Sequence, residues 1–139
     1  MFRKSVKKMT GVLAATLMIG SLGFTMPVHA ATESYSWHFN STSGTLPTNS
    51  NYKNDNEQKY YLTINSGNVS SQNVFGARIR RSADNAAMSN YSTHTSNKKA
   101  QSYAYTASAN TTTLYYMKGK KDTASTSTTT LDVGGKVTY

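Results

Sequence analysis

The chain has 139 residues, no cysteine, and 15 Lys and Arg against 6 Asp and Glu, for a formal net charge of +9. Without cysteine it has no disulfide, no thiol nucleophile and no acylated lipoprotein anchor, so packing and hydrogen bonds alone hold it together. Its Ser-, Thr- and Asn-rich composition resembles that of disordered chains, but ten Tyr and one Trp fall at regular positions and argue for a folded body.

Residues 1–30 read as a signal peptide. Arg3, Lys4, Lys7 and Lys8 give a basic start, Gly11 to Phe24 an apolar run, and Pro27 a helix break. Val28-His29-Ala30 then sets small apolar residues at the −3 and −1 positions, predicting a cut after Ala30. An uncleaved anchor is disfavoured because Gly20, Ser21 and Gly23 shorten the helical part. With the four basic residues of the leader removed, eleven Lys and Arg face all six acids and the charge falls to +5. Residues 31–139 have single-domain length and bury roughly 65% of their unfolded surface. No second apolar stretch predicts a membrane span. Leu46-Pro47-Thr48-Asn49 resembles the start of a wall-sorting signal but lacks its Thr-Gly pair and hydrophobic tail.

Ser34 to Phe39 alternates strictly, with Tyr35, Trp37 and Phe39 on one face, which predicts a half-buried strand. Asn40 to Gln58 is polar throughout and reads as a binding loop, a crossover or the home of a short edge strand. Lys59 to Ile64 is a second strand, with Tyr60, Leu62 and Ile64 inward, followed by a turn region at 65–73. Val74 to Arg81 is a third: Phe75, Ala77 and Ile79 share one face, Gly76, Arg78 and Arg80 the other. Ser82 to Ala100 is polar, with one or two helical turns at 82–88.

Gln101 to Ala107 and Thr112 to Lys118 read as two more strands joined by a hairpin turn at Ala109-Asn110. A basic turn at Lys118 to Asp122 and a low-complexity run at 123–130 precede the last strand, Leu131 to Tyr139, expected to kink or bulge at Gly134-Gly135. Six strands without a long helix predict an all-β fold, an antiparallel β-sandwich of immunoglobulin-like or jelly-roll order.

The layout resembles small secreted proteins of Gram-positive bacteria known only as domains of unknown function. The resemblance rests on the leader ending His29-Ala30-Ala31, the aromatic first strand, the Phe-x-Ala-Arg-x-Arg strand at 75–80, the Tyr-x-Tyr pair at 103 and 105, and the Gly-containing final strand. In architecture it is also similar to lactococcin-972-type bacteriocins, which are cationic secreted β-sandwiches. Both resemblances imply a secreted, non-enzymatic protein and supply no active residues.

Residue chemistry points the same way. His38 and His94 are the histidines left after the leader; both read as surface residues, and no nucleophile-elbow sequence accompanies them. Two scattered histidines without cysteine form no zinc set, and no cofactor is expected. Asp55 and Glu57 lack the glycine and later Glu of a calcium loop. The remaining signal is basic: Arg78, Arg80 and Arg81, with Lys118, Lys120 and Lys121, beside Tyr103 and Tyr105 as stacking candidates. The expected partner is an anionic cell-wall polymer or membrane surface, in preference to nucleic acid, because the chain is read as exported. A bacteriocin-like effector is the second reading and a small hydrolase a remote third.

Overall fold

The computed structural model describes residues 31–139, with no helix among them, and the expected signal peptide lies outside the described residues. Nine strands follow in order: β1 (Thr32–Phe39), β2 (Thr45–Pro47), β3 (Asn51–Tyr52), β4 (Lys59–Gly67), β5 (Phe75–Arg81), β6 (Ser92–His94), β7 (Lys98–Ala104), β8 (Leu114–Lys121) and β9 (Leu131–Thr138). One sheet runs β1-β9-β4-β7 and the other β2-β8-β5-β6, with β3 also on β8. Every pair is antiparallel, and the two sheets pack face to face as a β-sandwich.

The pairing is nested. β1 takes β9, β2 and β3 take β8, β4 takes β7, and β5 takes β6. One long antiparallel ribbon, closed at the β5–β6 connection, thus rolls up on itself, and the β4·β9 and β5·β8 ladders complete each sheet. With β2 and β3 counted as one broken strand, this is jelly-roll order and not the immunoglobulin one. The break has a local cause. Pro47 has no N–H to donate at this sheet edge. Just beyond it, the Met117 N–H donates instead to the Thr48 and Tyr139 hydroxyls at 2.9 and 3.0 Å.

Apolar side chains from both sheets meet between them: Leu62, Ile64, Leu131, Val133 and Val137 from one, Phe75, Ile79 and Met117 from the other. Each such burial is worth roughly 1.5–3 kcal/mol. Two glycines let the aromatic strand seat itself. A Cβ on Gly119 would overlap the Trp37 ring, so the bare backbone of β8 is the socket for that indole. Gly135 lies directly across from Tyr35, whose hydroxyl reaches over it to donate to the Thr63 carbonyl at 2.8 Å. A Cβ on Gly135 would strike that same carbonyl.

Several expectations are corrected. The last strand pairs with β1 without interruption; the bulge is at Asn65 in β4, opposite Gly134 and Gly135. Residues 105–113 form no hairpin, because β7 and β8 belong to different sheets. This crossover is tied to Gln58, whose side-chain amide bonds both the N–H and the carbonyl of Ala109 at 2.8 Å. Residues 82–84 make a single turn, closed by the Asn85 N–H donating to the Arg81 carbonyl at 2.9 Å, and it does not continue as a helix. Asn85 takes a left-handed φ of 58°, and the chain doubles back so that Ala87 bridges to Arg80. The basic turn at Lys118 to Lys121 is strand, since β8 continues its alternation to Lys121.

Gly135→Ala should destabilise by the upper part of the roughly 1–3 kcal/mol typical of overpacking, because backbone must yield. Gly119→Ala should cost less, since what it meets is side chain, the half-buried Trp37 and the buried Phe75, and not backbone. Gly44, with no atom near a would-be Cβ, is the neutral control. Urea midpoints in any other rank would contradict this account of the core.

Candidate anion-binding face

The outer surface of the second sheet is built by alternation on its two central strands. On β8, Tyr115, Met117, Gly119 and Lys121 are buried, which turns Tyr116, Lys118 and Lys120 outward. On β5, Phe75, Ala77 and Ile79 face the core, which turns Gly76, Arg78 and Arg80 outward. The ladder register sets Arg78 directly opposite Lys118, Gly76 opposite Lys120 and Arg80 opposite Tyr116. Thr45 and Pro47 of β2 flank Lys120 and Lys118 from the other side. Like charges directly opposite one another destabilise a sheet.

No carboxylate relieves this cluster. Glu33 accepts from Asn51, Asp55 from Lys53, and Glu57 from Tyr61; Asp84 accepts from Arg81 and Asp132 pairs with His38. Asp122, the sixth acid, accepts from the Tyr91 hydroxyl and the Ala124 N–H. Among the described residues no ion pair uses Arg78, Arg80, Lys118 or Lys120. Arg80 donates one guanidinium N–H to the Asn85 carbonyl at 2.6 Å. The Nε atoms of Arg78 and Arg80 are shielded from solvent and have no acceptor, a costly state for a donor.

Tyr91, in the loop before β6, completes the face. Its side chain lies across Gly76, where a Cβ would collide with the phenol, and its hydroxyl donates to Asp122 at 2.6 Å. Burial, then this carboxylate, raises the phenol pKa, so it stays protonated and acts as a donor. The Arg78 guanidinium and Lys120 ammonium each stand 5.8 Å from the ring centroid. Thr45, Arg78, Arg80, Tyr91, Lys118, Gly119 and Lys120 line a cleft of about 270 Å³. A second, of about 420 Å³, adjoins it through Thr45 and Lys118 and continues past Pro47, Thr48, Ser50 and Tyr116. Together they form a groove over β8.

Four of the eight sequence-predicted site residues therefore converge, and four stand elsewhere. Lys121 is only 2% exposed and points to the other face of β8, donating to the Ser127 and Thr129 carbonyls at 2.8 and 2.5 Å. It fastens the 123–130 segment. Arg81 forms a bidentate pair with Asp84 at 2.9 and 2.7 Å, which secures the turn after β5. Tyr103 stacks on Tyr60 at 5.4 Å, and Tyr105, 8% exposed, packs between Tyr60 and Tyr115. Both belong to the aromatic interior and its margin, away from the cations. Tyr91 and Thr45 were missed because both lie in polar stretches without periodicity.

The histidines part company. His38 is exposed and bonds Asp132, its cross-strand neighbour, at 2.6 Å; that bond raises its pKa. His94 is not on the surface. It packs 5.9 Å from Phe75 and 5.7 Å from Tyr103, with the Ser92 hydroxyl 3.0 Å from Nε2. Burial, and then Lys98, lowers its pKa to about 4. No carboxylate orients this imidazole, so Ser92 and His94 do not make a charged relay. Among the described residues no group of acids and histidines is placed to hold a metal ion. Asp55 is committed to the buried Lys53 ammonium, whose hydrogen bond lowers the carboxyl's pKa.

The two imidazoles should titrate on opposite sides of the ordinary value of 6.5. His94 stays neutral in the native state while the unfolded chain binds a proton, so its contribution to stability falls between pH 6.5 and about 4. His38 acts oppositely: its contribution is complete below 6.5 and is lost as pH rises through the raised value. Imidazole resonances followed by NMR against pH check both, and coincident titration near 6.5 would contradict the two environments. No family model matches the chain, and neither a curated protein nor a solved structure matches it.

Proposed function

We propose that this protein is exported and binds an anionic polymer of the cell envelope through Arg78, Arg80, Lys118 and Lys120, without catalysing a reaction. The observation that carries the reading is the convergence of four cations without a carboxylate partner on one sheet face, two of them set directly opposite each other. Export is supported by the basic start, apolar run and Val28-His29-Ala30 ending of the leader. It places the face where anionic wall polymers and lipid headgroups are the abundant partners.

Several other cations have counter-groups within the fold, while Lys98, Lys99 and Lys136 also lack an ion pair among the described residues but are not gathered on this face. Lys53, Lys59 and Arg81 have acids, and the buried Lys121 has two carbonyls. The four outer cations therefore have their charge available for an external anion, and arginine's planar fork suits bidentate phosphate contact.

Purified residues 31–139, which contain both sheets, should pellet with intact cell walls at about 0.01 M salt and stay in solution at about 1 M, as the screening length drops from roughly 30 to roughly 3 Å. Replacing Arg78 and Arg80 with Ala should abolish pelleting. Replacing Lys98 and Lys99, exposed or half-exposed on β7, should leave it largely intact. Equal loss in both double variants would mean bulk charge and not this face, and no wild-type pelleting at low salt would end the reading.

A further inference from the structure

We propose that the groove takes a phosphate ester of a polyol or sugar, as a repeating phosphodiester chain, and that Tyr91 is the residue that distinguishes such an ester from a bare anion. This rests on the anion-binding reading above and adds the ligand's chemistry to it.

The charges are spaced by the strand repeat. Residues two apart on a strand are about 6.6–6.8 Å apart along it. The register therefore gives three levels: Lys120 beside Gly76, then Arg78 with Lys118, then Arg80 beside Tyr116. A compact single anion can engage only one level and its neighbour. A chain carrying an anion at each repeat can engage all three, and the two adjoining clefts give it a continuous path over β8.

The second step concerns what lies between the charges. Tyr91 is 37% exposed, and its polar end is already committed to Asp122. What it offers the cleft is therefore carbon: a lining aromatic ring whose centroid is 5.8 Å from both the Arg78 guanidinium and the Lys120 ammonium. Inorganic phosphate, sulfate or polyphosphate has nothing to set against that ring. A phosphodiester whose phosphates are joined by a short polyol or a sugar has C–H groups next to each charge, which is the pattern the cleft presents.

Glycerol phosphate occurs both as a polymer repeat and as a lipid headgroup; the open, elongated groove favours a chain lying lengthwise. The test uses glycerol 3-phosphate and inorganic phosphate at constant ionic strength, each titrated by calorimetry or amide shifts, and walls against phosphatidylglycerol vesicles in pelleting. Wild-type protein should bind glycerol 3-phosphate several-fold more tightly than inorganic phosphate. Tyr91→Ala should bring that ratio to about one while leaving salt-sensitive wall pelleting measurable. Tyr91→Phe, which keeps the ring and loses the Asp122 bond, should retain most of the preference and controls for any loss of stability in the Ala variant. Pairing Arg78→Ala with Lys118→Ala should remove binding of both ligands. A wild-type ratio near one, or a ratio unchanged in Tyr91→Ala, overturns this inference and leaves the electrostatic reading standing. Vesicle pelleting without wall pelleting overturns the polymer in favour of a headgroup. Loss of wall pelleting in wild type overturns the reading beneath it.

Discussion

The β5·β8 ladder is the constraint on which the core and the candidate site both depend. Seven consecutive pairs, from Phe75 with Lys121 to Arg81 with Tyr115, lie in one unbroken register. Because side chains alternate, a slip by one residue would send Met117 and Ile79 to solvent and turn Lys118 and Arg78 into the core. The burial of Phe75, Ile79, Tyr115 and Met117 therefore fixes the positions of Arg78, Arg80, Lys118 and Lys120. The cationic face is held in place by the apolar face behind it. Gly119 connects the two sheets, since its bare backbone receives Trp37 from β1.

The same ladder explains why lysine has two opposite fates on one strand. Lys120 and Lys121 are adjacent, so alternation must send one out and one in. The inward ammonium survives burial because two carbonyls of the 123–130 segment accept from it. That segment is low in complexity and has little apolar content of its own, so the buried cation orders it against the sheet. Lys53 does similar work on the far side of the molecule, with Asp55 as its acceptor and the Tyr105 ring 5.6 Å away. Cations that serve the fold are thus satisfied within it, whereas none of the four on the outer face has a carboxylate partner among the described residues.

Much of this was legible in the sequence, and the parts that were not have physical reasons. Period-two patterning identified β1, β4, β5 and β9, because one face of each is apolar, and only the first half of β8, where both faces carry apolar residues. It missed β2, β3 and β6, which are two or three residues long and polar. Lys118-Gly119-Lys120-Lys121 read as a turn, since glycine among charges signals one; only the tertiary role of Gly119 as a socket shows why glycine stands in a strand. The strand expected over Gln101 to Ala107 runs instead over Lys98–Ala104, so Tyr105 lies just beyond it although both tyrosines pack on Tyr60, a contact that periodicity cannot show. The jelly-roll order was also out of reach, because nested pairing joins residues a hundred positions apart. Gly76 was the available clue to Tyr91: a glycine inside a central strand marks a close approach by another group.

Several departures from local rules meet on one face of this molecule. Buried donors such as those of Gln58 and Lys121 find acceptors, while Asn54, Asn73 and Tyr105 each keep one buried polar atom without a partner. On the outer face of β5 and β8, Arg78 opposes Lys118, two guanidinium donors lack acceptors, and a strand glycine makes room for a half-exposed phenol pinned by its only polar atom. Each of these weakens the isolated domain. Local inconsistencies that gather on one surface are expected where function is imposed on a fold. The opposed charges of Arg78 and Lys118 are what an external anion would relieve, and Tyr91 stands beside them with its hydroxyl already engaged.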